Sequence, residues 1–159
     1  GALSPAFSNA NPRYTVTVPH ETPRITVTPN SVDPNASIRV NDVPVVSGMA
    51  SGAIPLEVGV NVIFISVVAH SGTSAKIFAL IVTRETPAAT LTHSGNAVEI
   101  QWPVDEKFVI QLLCSPSLGL GADWQVVATE PVAADGVSKV TLPAQPGNRY
   151  YRLRMVPIP

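Results

Sequence analysis

Apolar and polar residues alternate along much of the chain with a period of two, which is the pattern of β-strands with one buried face. In the segment RYTVTV, the apolar residues Tyr14, Val16 and Val18 fall on one face. In RITVT, Ile25 and Val27 do the same. No long segment shows the spacing of three and four that marks an amphipathic helix. The pattern therefore predicts an all-β protein.

The segment RVNDVPV, residues 39–45, resembles a calcium-binding run and also fits a hairpin turn. Calcium takes about six to eight oxygen ligands, usually including several carboxylates. Asp42 is the only carboxylate in the segment, and Asp33 would have to come close. A two-residue loop at Asn41 and Asp42 instead gives every apolar strand residue an apolar partner. We predict a tight turn with positive φ at one or both residues, and these cross-strand pairs: Val40 with Val43, and Ile38 with Val45.

Two strands predicted at residues 61–69 and 75–83 carry apolar residues on both faces. A strand with one solvated face should alternate apolar and polar residues, and a contiguous exposed apolar surface marks an interface. We predict that the outward surface contacts the second domain or another chain, unless loops of its own domain cover it. The predicted interface residues, called the outer apolar face below, are Val62, Phe64, Val68, Ile77 and Ile81.

The turn-rich composition indicates two small domains. The chain contains 16 prolines, about twice the average share of roughly 5%, which suits short strands joined by many turns. About seven predicted strands precede a proline-containing joint, and a second series of strands follows it. We predict two tandem antiparallel β-sandwiches at residues 1–85 and 90–159, joined by the short linker 86–89.

The first half carries its strand motifs in a characteristic order. They are YTVTV, ITVTP, SIRVNDVPVVSG, LEVGVNVIFISVV and IFALIVTRE. Over residues 3–85 this order resembles the bacterial cadherin-like β-sandwich family. Two positions depart from the family pattern, with Asp42 in place of the usual glycine and Phe78 in place of the usual tyrosine. The resemblance implies an immunoglobulin-like sandwich. For the strands at residues 61–69 and 75–83, it also implies which residues point inward: Ile63, Ile65, Val67, Phe78, Leu80 and Val82.

The second half, residues 88–156, resembles a compact fibronectin type III-like module of the kind found at the carboxyl ends of many bacterial exported proteins. The resemblance rests on Trp102 in IQWPV, the strand at residues 108–111, Trp124 in ADWQVV and the closing LPAQPGNRYYRLR. The period-two alternation around Trp102 places its ring in the predicted core.

Four residues of the second half form a candidate ligand patch. Tyr150, Arg152 and Arg154 share one face of a predicted strand. Trp124, which opens another strand, offers a ring on which a sugar could stack. An acidic sugar is the ligand that this set would suit. The alternative is a solvated outer face on which the arginine stems lie over Tyr150.

The charge and the apolar runs exclude two classes of partner. Ten basic and 11 acidic residues give a net charge of -1, so no positive field attracts nucleic acid or anionic lipid. The apolar runs are shorter than the roughly 20 residues of a membrane span. Cys114 is the single cysteine, so no disulfide forms within the chain, which is compatible with export.

The inventory of catalytic groups is poor. His20, His70 and His93 all lie at predicted turns, where we expect solvated rings. Asp105 and Glu106 are adjacent on a predicted loop, where neighbouring carboxylates usually point apart. No zinc-ligand spacing, nucleophile elbow or phosphate-binding loop occurs. We therefore expect no enzymatic activity, no metal and no cofactor.

Both resemblances imply a noncatalytic structural, adhesion or ligand-presenting module of a larger bacterial protein that is secreted or held at the cell surface. The alternative is a carbohydrate-binding accessory module of an extracellular enzyme. The expected partners are other domains of the parent chain, and a glycan or a surface protein. The sequence leaves open the ligand, the oligomeric state and the partner of the outer apolar face.

Overall fold

The computed structural model describes residues 2–158. Within these residues the protein forms fourteen strands and no helix, which confirms the predicted all-β fold. The chain divides between Thr86 and Pro87 into two compact units.

The first unit contains seven strands: β1 (Arg13–Val18), β2 (Arg24–Ile25), β3 (Ser37–Val40), β4 (Val43–Val45), β5 (Ile54–Pro55), β6 (Gly59–Val68) and β7 (Ala75–Arg84). Five of them form a sheet in the order β1-β7-β6-β3-β4, and β2 pairs separately with β5. The β1–β7 pairing is parallel, which the antiparallel prediction did not include. It is sterically simple because β1 and β7 are far apart in sequence and no tight turn joins them.

The β6–β7 hairpin lies at the centre of the five-stranded sheet. Its register runs from Gly59 opposite Arg84 to Val68 opposite Ala75. The predicted inward residues all belong to the core, where they meet Tyr14 from β1. Buried among them are Ile63, Phe78, Leu80 and Val82, and packed against these are Ile65 and Val67.

The turn between β3 and β4 confirms the predicted hairpin. Val40 pairs with Val43 and Ile38 with Val45. Both loop residues have positive φ, 46° at Asn41 and 64° at Asp42. The Asn41 side chain also accepts a hydrogen bond from the Phe64 backbone N–H at 2.9 Å, and the Asn41 N–H donates to the Phe64 carbonyl at 2.9 Å. Asn41 therefore joins the turn to β6, a contact that the sequence pattern did not predict.

The second layer of this unit contains less regular strand than predicted. The strand expected at RITVT ends at Ile25. The next residue that points inward is Val27, and its N–H forms a hydrogen bond with a side chain instead of a backbone group. The Val27 N–H donates to Ser51 Oγ at 3.0 Å, and the Val27 carbonyl accepts from the Ser51 N–H at 2.8 Å. A regular backbone ladder does not form across such a pair. Residues 24–30 thus run beside residues 47–56, with Ile25 and Val27 packed against the core.

The second unit contains a further seven strands: β8 (Thr90–Ser94), β9 (Ala97–Pro103), β10 (Phe108–Ser115), β11 (Gln125–Val126), β12 (Val132–Ala134), β13 (Val137–Pro143) and β14 (Tyr150–Pro157). One sheet has the order β11-β10-β14 and the other the order β12-β13-β9-β8. Side chains from both sheets share one core, in which Trp102 is 3% exposed. The unit is therefore a sandwich, and the core position predicted for Trp102 is confirmed.

Arg84 connects the two layers of the first unit. Its side chain lies buried at the end of β7. Nε donates to the His20 carbonyl at 2.7 Å, and Nη1 donates to the Leu56 carbonyl at 3.1 Å. Leu56 follows β5 in the second layer, whereas Arg84 belongs to the five-stranded sheet. Hydrogen bonds from a charged donor are stronger than neutral ones, so this side chain stabilises the layer packing.

We predict that replacing Asn41 by alanine destabilises the first unit by about 1–2 kcal/mol. The substitution removes the hydrogen bond to Phe64 and puts a residue without a stabilising side chain at positive φ. Asp42→Gly is the matched control, and it should be neutral or stabilising because glycine adopts this conformation without steric cost. Urea denaturation followed by circular dichroism measures both. Equal stability of Asn41→Ala and the unaltered protein would contradict this account of the turn.

We predict that Arg84→Met costs about 2–3 kcal/mol, because methionine fills the space but leaves buried carbonyls without their donor. Arg13→Met is the control, since Arg13 is exposed on β1 and exposed substitutions change stability by less than about 0.5 kcal/mol. Thermal denaturation compares the two variants. Similar losses for both would show that Arg84 does not hold the layers together.

Candidate functional site

The predicted ligand patch lies on the sheet formed by β11, β10 and β14. In the β10–β14 register, Gln111 is opposite Arg154, Leu113 is opposite Arg152, and Ser115 is opposite Tyr150. Directly paired residues point to the same side of a sheet. Tyr150, Arg152 and Arg154 therefore share the face that does not contain the core residues Ile110 and Leu112, as the sequence predicted.

Trp124 and Arg152 are in direct contact on this face. The guanidinium carbon of Arg152 lies 4.3 Å from the centroid of the Trp124 ring, which is the geometry of a cation–π interaction. Leu113 lies on the same face and is 1% exposed, although it is outside the main core. Arg152 lies directly opposite Leu113 in the β10–β14 register, so its stem flanks Leu113. The contact thus has a packing role in addition to any role in binding.

The remaining patch residues have separate surroundings. Arg154 donates to Gln111 Oε1 from Nε at 3.0 Å and from Nη2 at 2.6 Å. Tyr150 is half-buried at the start of β14. The two arginines of the patch are therefore held by different partners, one by an amide and one by an indole ring. A ligand carboxylate would have to compete with both contacts.

The outer apolar face is a second candidate surface, on the five-stranded sheet. Val62, Phe64 and Ile77 are 48%, 55% and 60% exposed, whereas Val68 and Ile81 are half-buried. Val62 pairs with Ile81 across the hairpin, and the other three residues lie an even number of positions away along the same two strands, so all five share one face. Val60, at 69% exposure, extends it along β6.

Among residues 2–158, two ionisable side chains have clearly perturbed pKa values, and each has a local cause. The Lys139 ammonium, 2.8 Å from Glu99, and a hydrogen bond from Gln101 lower the pKa of the Glu99 carboxyl. Burial raises the pKa of the Tyr151 hydroxyl. The pair Glu99–Lys139 joins the neighbouring strands β9 and β13.

The histidines do not share one environment. His70 is exposed at a turn, as predicted. His93 is also exposed, but its predicted turn position was wrong, because β8 continues to Ser94 and His93 pairs with Val98. His20 is 3% exposed, and its Nδ1 lies 3.3 Å from the Glu85 carbonyl oxygen. The prediction of a solvated ring was wrong for His20, because the turn after β1 packs beside the end of β7. Within the part of the chain that the structure describes, no three histidine, cysteine, aspartate or glutamate residues group to hold a metal.

Sequence reasoning missed an apolar cavity in the first unit. The cavity has a volume of about 330 Å³, and Tyr14 and Phe78 lie in its wall. The alternation of these strands predicts that both side chains point inward, but it does not predict how completely they fill the space. The volume of a core depends on the distance between two layers, which no single strand encodes.

We predict that Arg152→Ala destabilises the second unit by about 1–2 kcal/mol, because it removes the cation–π contact and uncovers Leu113. Arg152→Met keeps an apolar stem over Leu113 and should lose roughly half as much. Arg149→Ala serves as the control at a neighbouring exposed arginine. Urea denaturation measures the three variants. If Arg152→Ala matches Arg149→Ala, the contact with Trp124 has no structural role.

Comparisons with known proteins bear on the first unit and on the chain as a whole. None of the curated proteins compared matches the chain. Among solved structures, the apo structure of Bacteroides uniformis beta-glucuronidase 3 is similar at 13% identity and a TM-score of 0.23. The similarity covers 86% of this chain and 25% of that chain, so this chain spans a quarter of that protein's length. A TM-score of this size carries no argument about function.

No helix in residues 2–158 has the length and apolar character that a membrane span needs. The family model for the cadherin-like beta sandwich domain matches residues 2–85. This range contains the five-stranded sheet, the β3–β4 hairpin and the β6–β7 hairpin. Through these residues, the chain belongs to the cadherin-like beta sandwich domain family.

Proposed function

We propose that this protein is a noncatalytic structural, adhesion or ligand-presenting module of a larger bacterial protein that is secreted or held at the cell surface. The observation that carries the proposal is the outer apolar face, on which Val62, Phe64 and Ile77 are all exposed. A large exposed apolar surface on a sandwich is suited to contact another domain. The partners are neighbouring domains of the parent chain or a surface protein.

The noncatalytic part of the proposal is supported by the dispersion of ionisable groups. Asp105 is buried and its carboxylate accepts a hydrogen bond from the Lys107 N–H at 2.8 Å, whereas Glu106 is exposed. A buried carboxylate that accepts a backbone hydrogen bond and an exposed neighbour differ in environment, which favours separate roles over the convergent pair that acid–base chemistry needs. The perturbed groups Glu99 and Tyr151 lie apart from these residues in sequence and have local causes.

We also propose that the second unit is a fibronectin type III-like module that follows a short linker at residues 86–89. Its support is an arrangement of four strands and three strands around the buried Trp102. Such modules commonly space or present other domains. Together with the cadherin-like first unit, this arrangement favours a spacer or presenting role over an independent activity.

A carbohydrate-binding accessory role is the second candidate. Its support is the placement of Trp124 and Arg152 beside each other at the surface, with Arg154 on the same sheet face. The Arg152 guanidinium covers part of the Trp124 ring, which reduces the area available for sugar stacking. The candidate is therefore weaker than the module role.

The module role is tested by side-chain footprinting of Phe64 and Ile77. We predict that hydroxyl radicals modify both residues several-fold less in the intact parent protein than in this chain alone, because a neighbouring domain covers the outer apolar face. Met49, exposed on a different segment, is the internal reference and should be modified equally in both. Mass spectrometry gives the extent of modification at each residue. Equal modification of Phe64 in the two forms would refute the contact.

A glycan array separates the second candidate from the first. The unaltered chain and Trp124→Ala are compared under the same conditions. Binding of an acidic glycan that Trp124→Ala abolishes would favour carbohydrate recognition. An array without signal for either protein would remove that candidate.

A further inference from the structure

The first unit contains an apolar cavity that lies beside an unpaired stretch of backbone. The cavity, of about 330 Å³, lies between the inner face of the five-stranded sheet and residues 25–30. Its wall includes Val16 and Phe78 from the sheet and Leu3 and Phe7 from the N-terminal segment. Leu3 and Phe7 are 42% and 62% exposed, so the cavity is open to solvent on their side.

The unpaired backbone belongs to Thr26 and Thr28. In an extended chain, successive residues direct their N–H and C=O groups to opposite sides. Ile25 pairs with Ile54, and Val27 exchanges hydrogen bonds with Ser51. Thr26 and Thr28 must therefore point their backbone groups away from residues 47–56.

Those groups are unsatisfied by protein. Within residues 2–158, no backbone or side-chain group forms a hydrogen bond with the backbone of Thr26 or Thr28. Both residues are exposed, and both also line the cavity. An open strand edge and an apolar cavity thus adjoin each other.

The wall of the cavity opposite Thr26 and Thr28 is held in place. The N-terminal segment is anchored to β1, because Ser4 and Thr15 exchange backbone hydrogen bonds of 2.9 and 2.8 Å. Phe7 stacks on the Tyr14 ring with a centroid distance of 5.5 Å. The Tyr14 hydroxyl in turn donates to the Ser8 carbonyl. The segment therefore forms a wall opposite Thr26 and Thr28 and does not pair with their backbone.

An open edge beside an apolar cavity has the two properties needed to bind an extended peptide. Main-chain hydrogen bonds to the edge provide affinity, and alternate side chains enter pockets and provide specificity. The cavity has about twice the volume of the roughly 150 Å³ site that holds one benzene ring, so it can hold two apolar side chains. No charged residue is among its lining residues, which excludes charged side chains as occupants.

We propose that an extended segment of another polypeptide adds as a strand to the edge at Thr26 and Thr28. Two apolar side chains at alternate positions of that segment fill the cavity between Val16 and Phe78. The unpaired backbone distinguishes this occupant from a small apolar molecule, which would fill the cavity but leave the edge groups without partners. The inference does not depend on the function proposed above, because it concerns a different surface.

The test uses a fluorescent peptide with the sequence Lys-Thr-Val-Thr-Val-Thr-Lys, blocked at both ends, and fluorescence anisotropy. The peptide alternates apolar and polar residues, so its two valines can enter the cavity together. A control peptide with serine in place of both valines should bind at least about tenfold more weakly, because it cannot fill the cavity. A third peptide, N-methylated at the residues that face the edge, should also bind at least about tenfold more weakly.

A protein variant tests the same edge by altering the protein instead of the peptide. Thr26→Pro removes one edge N–H and should weaken binding of the valine peptide by about tenfold or more. Thr26→Ala keeps the backbone N–H and should bind within about twofold of the unaltered protein. The N-methylated peptide makes the same test without altering the protein, so a folding defect in Thr26→Pro would not obscure the result.

Several results would overturn the proposal. Equal affinity for the valine and serine peptides would show that the cavity does not select the peptide. Undiminished binding of the N-methylated peptide would assign the cavity to an apolar small molecule rather than a strand. No binding of the valine peptide would refute the site. Self-association that Thr26→Pro abolishes would assign the edge to a second copy of this chain and not to another polypeptide.

Discussion

The β6–β7 ladder is the interaction on which the first unit depends. It is the longest pairing of that unit, and both of its outer edges are used: β7 pairs with β1 in parallel and β6 pairs with β3. Residues such as Ile63 and Val82 on its inner face anchor the core. Arg84, at the end of β7, links this sheet to the second layer by donating hydrogen bonds to the carbonyls of His20 and Leu56.

The same ladder explains why one sheet has two apolar faces. β-Branched and aromatic residues favour central strands, because they pack well against cross-strand neighbours. On the inner face this packing forms the core, whereas on the outer face it leaves Phe64 and Ile77 partly in water. An exposed apolar surface is costly in solvent, so a partner that covers it gains binding free energy. In the proposed module role, a neighbouring domain or a surface protein covers that surface.

The two units differ in how completely their layers close. In the second unit, sheets of four and three strands enclose Trp102 and Ile100. In the first unit, five strands face a layer that contains only two segments, β2 and β5 with the residues beside them, and the cavity beside Thr26 and Thr28 is the result. A layer of two segments is too narrow to cover a five-stranded sheet. The proposed strand addition would widen that layer at its open edge.

The sequence by itself determined the all-β fold, the register of the β3–β4 hairpin and the core position of Trp102, because a period of two assigns each side chain to one face. It did not determine the ring environment of His20 or the early end of β2, since both depend on neighbours distant in sequence. Contacts such as that between Trp124 and Arg152 were decided only by the tertiary structure. The same holds for the cavity, whose volume depends on the separation of two layers that no local pattern records.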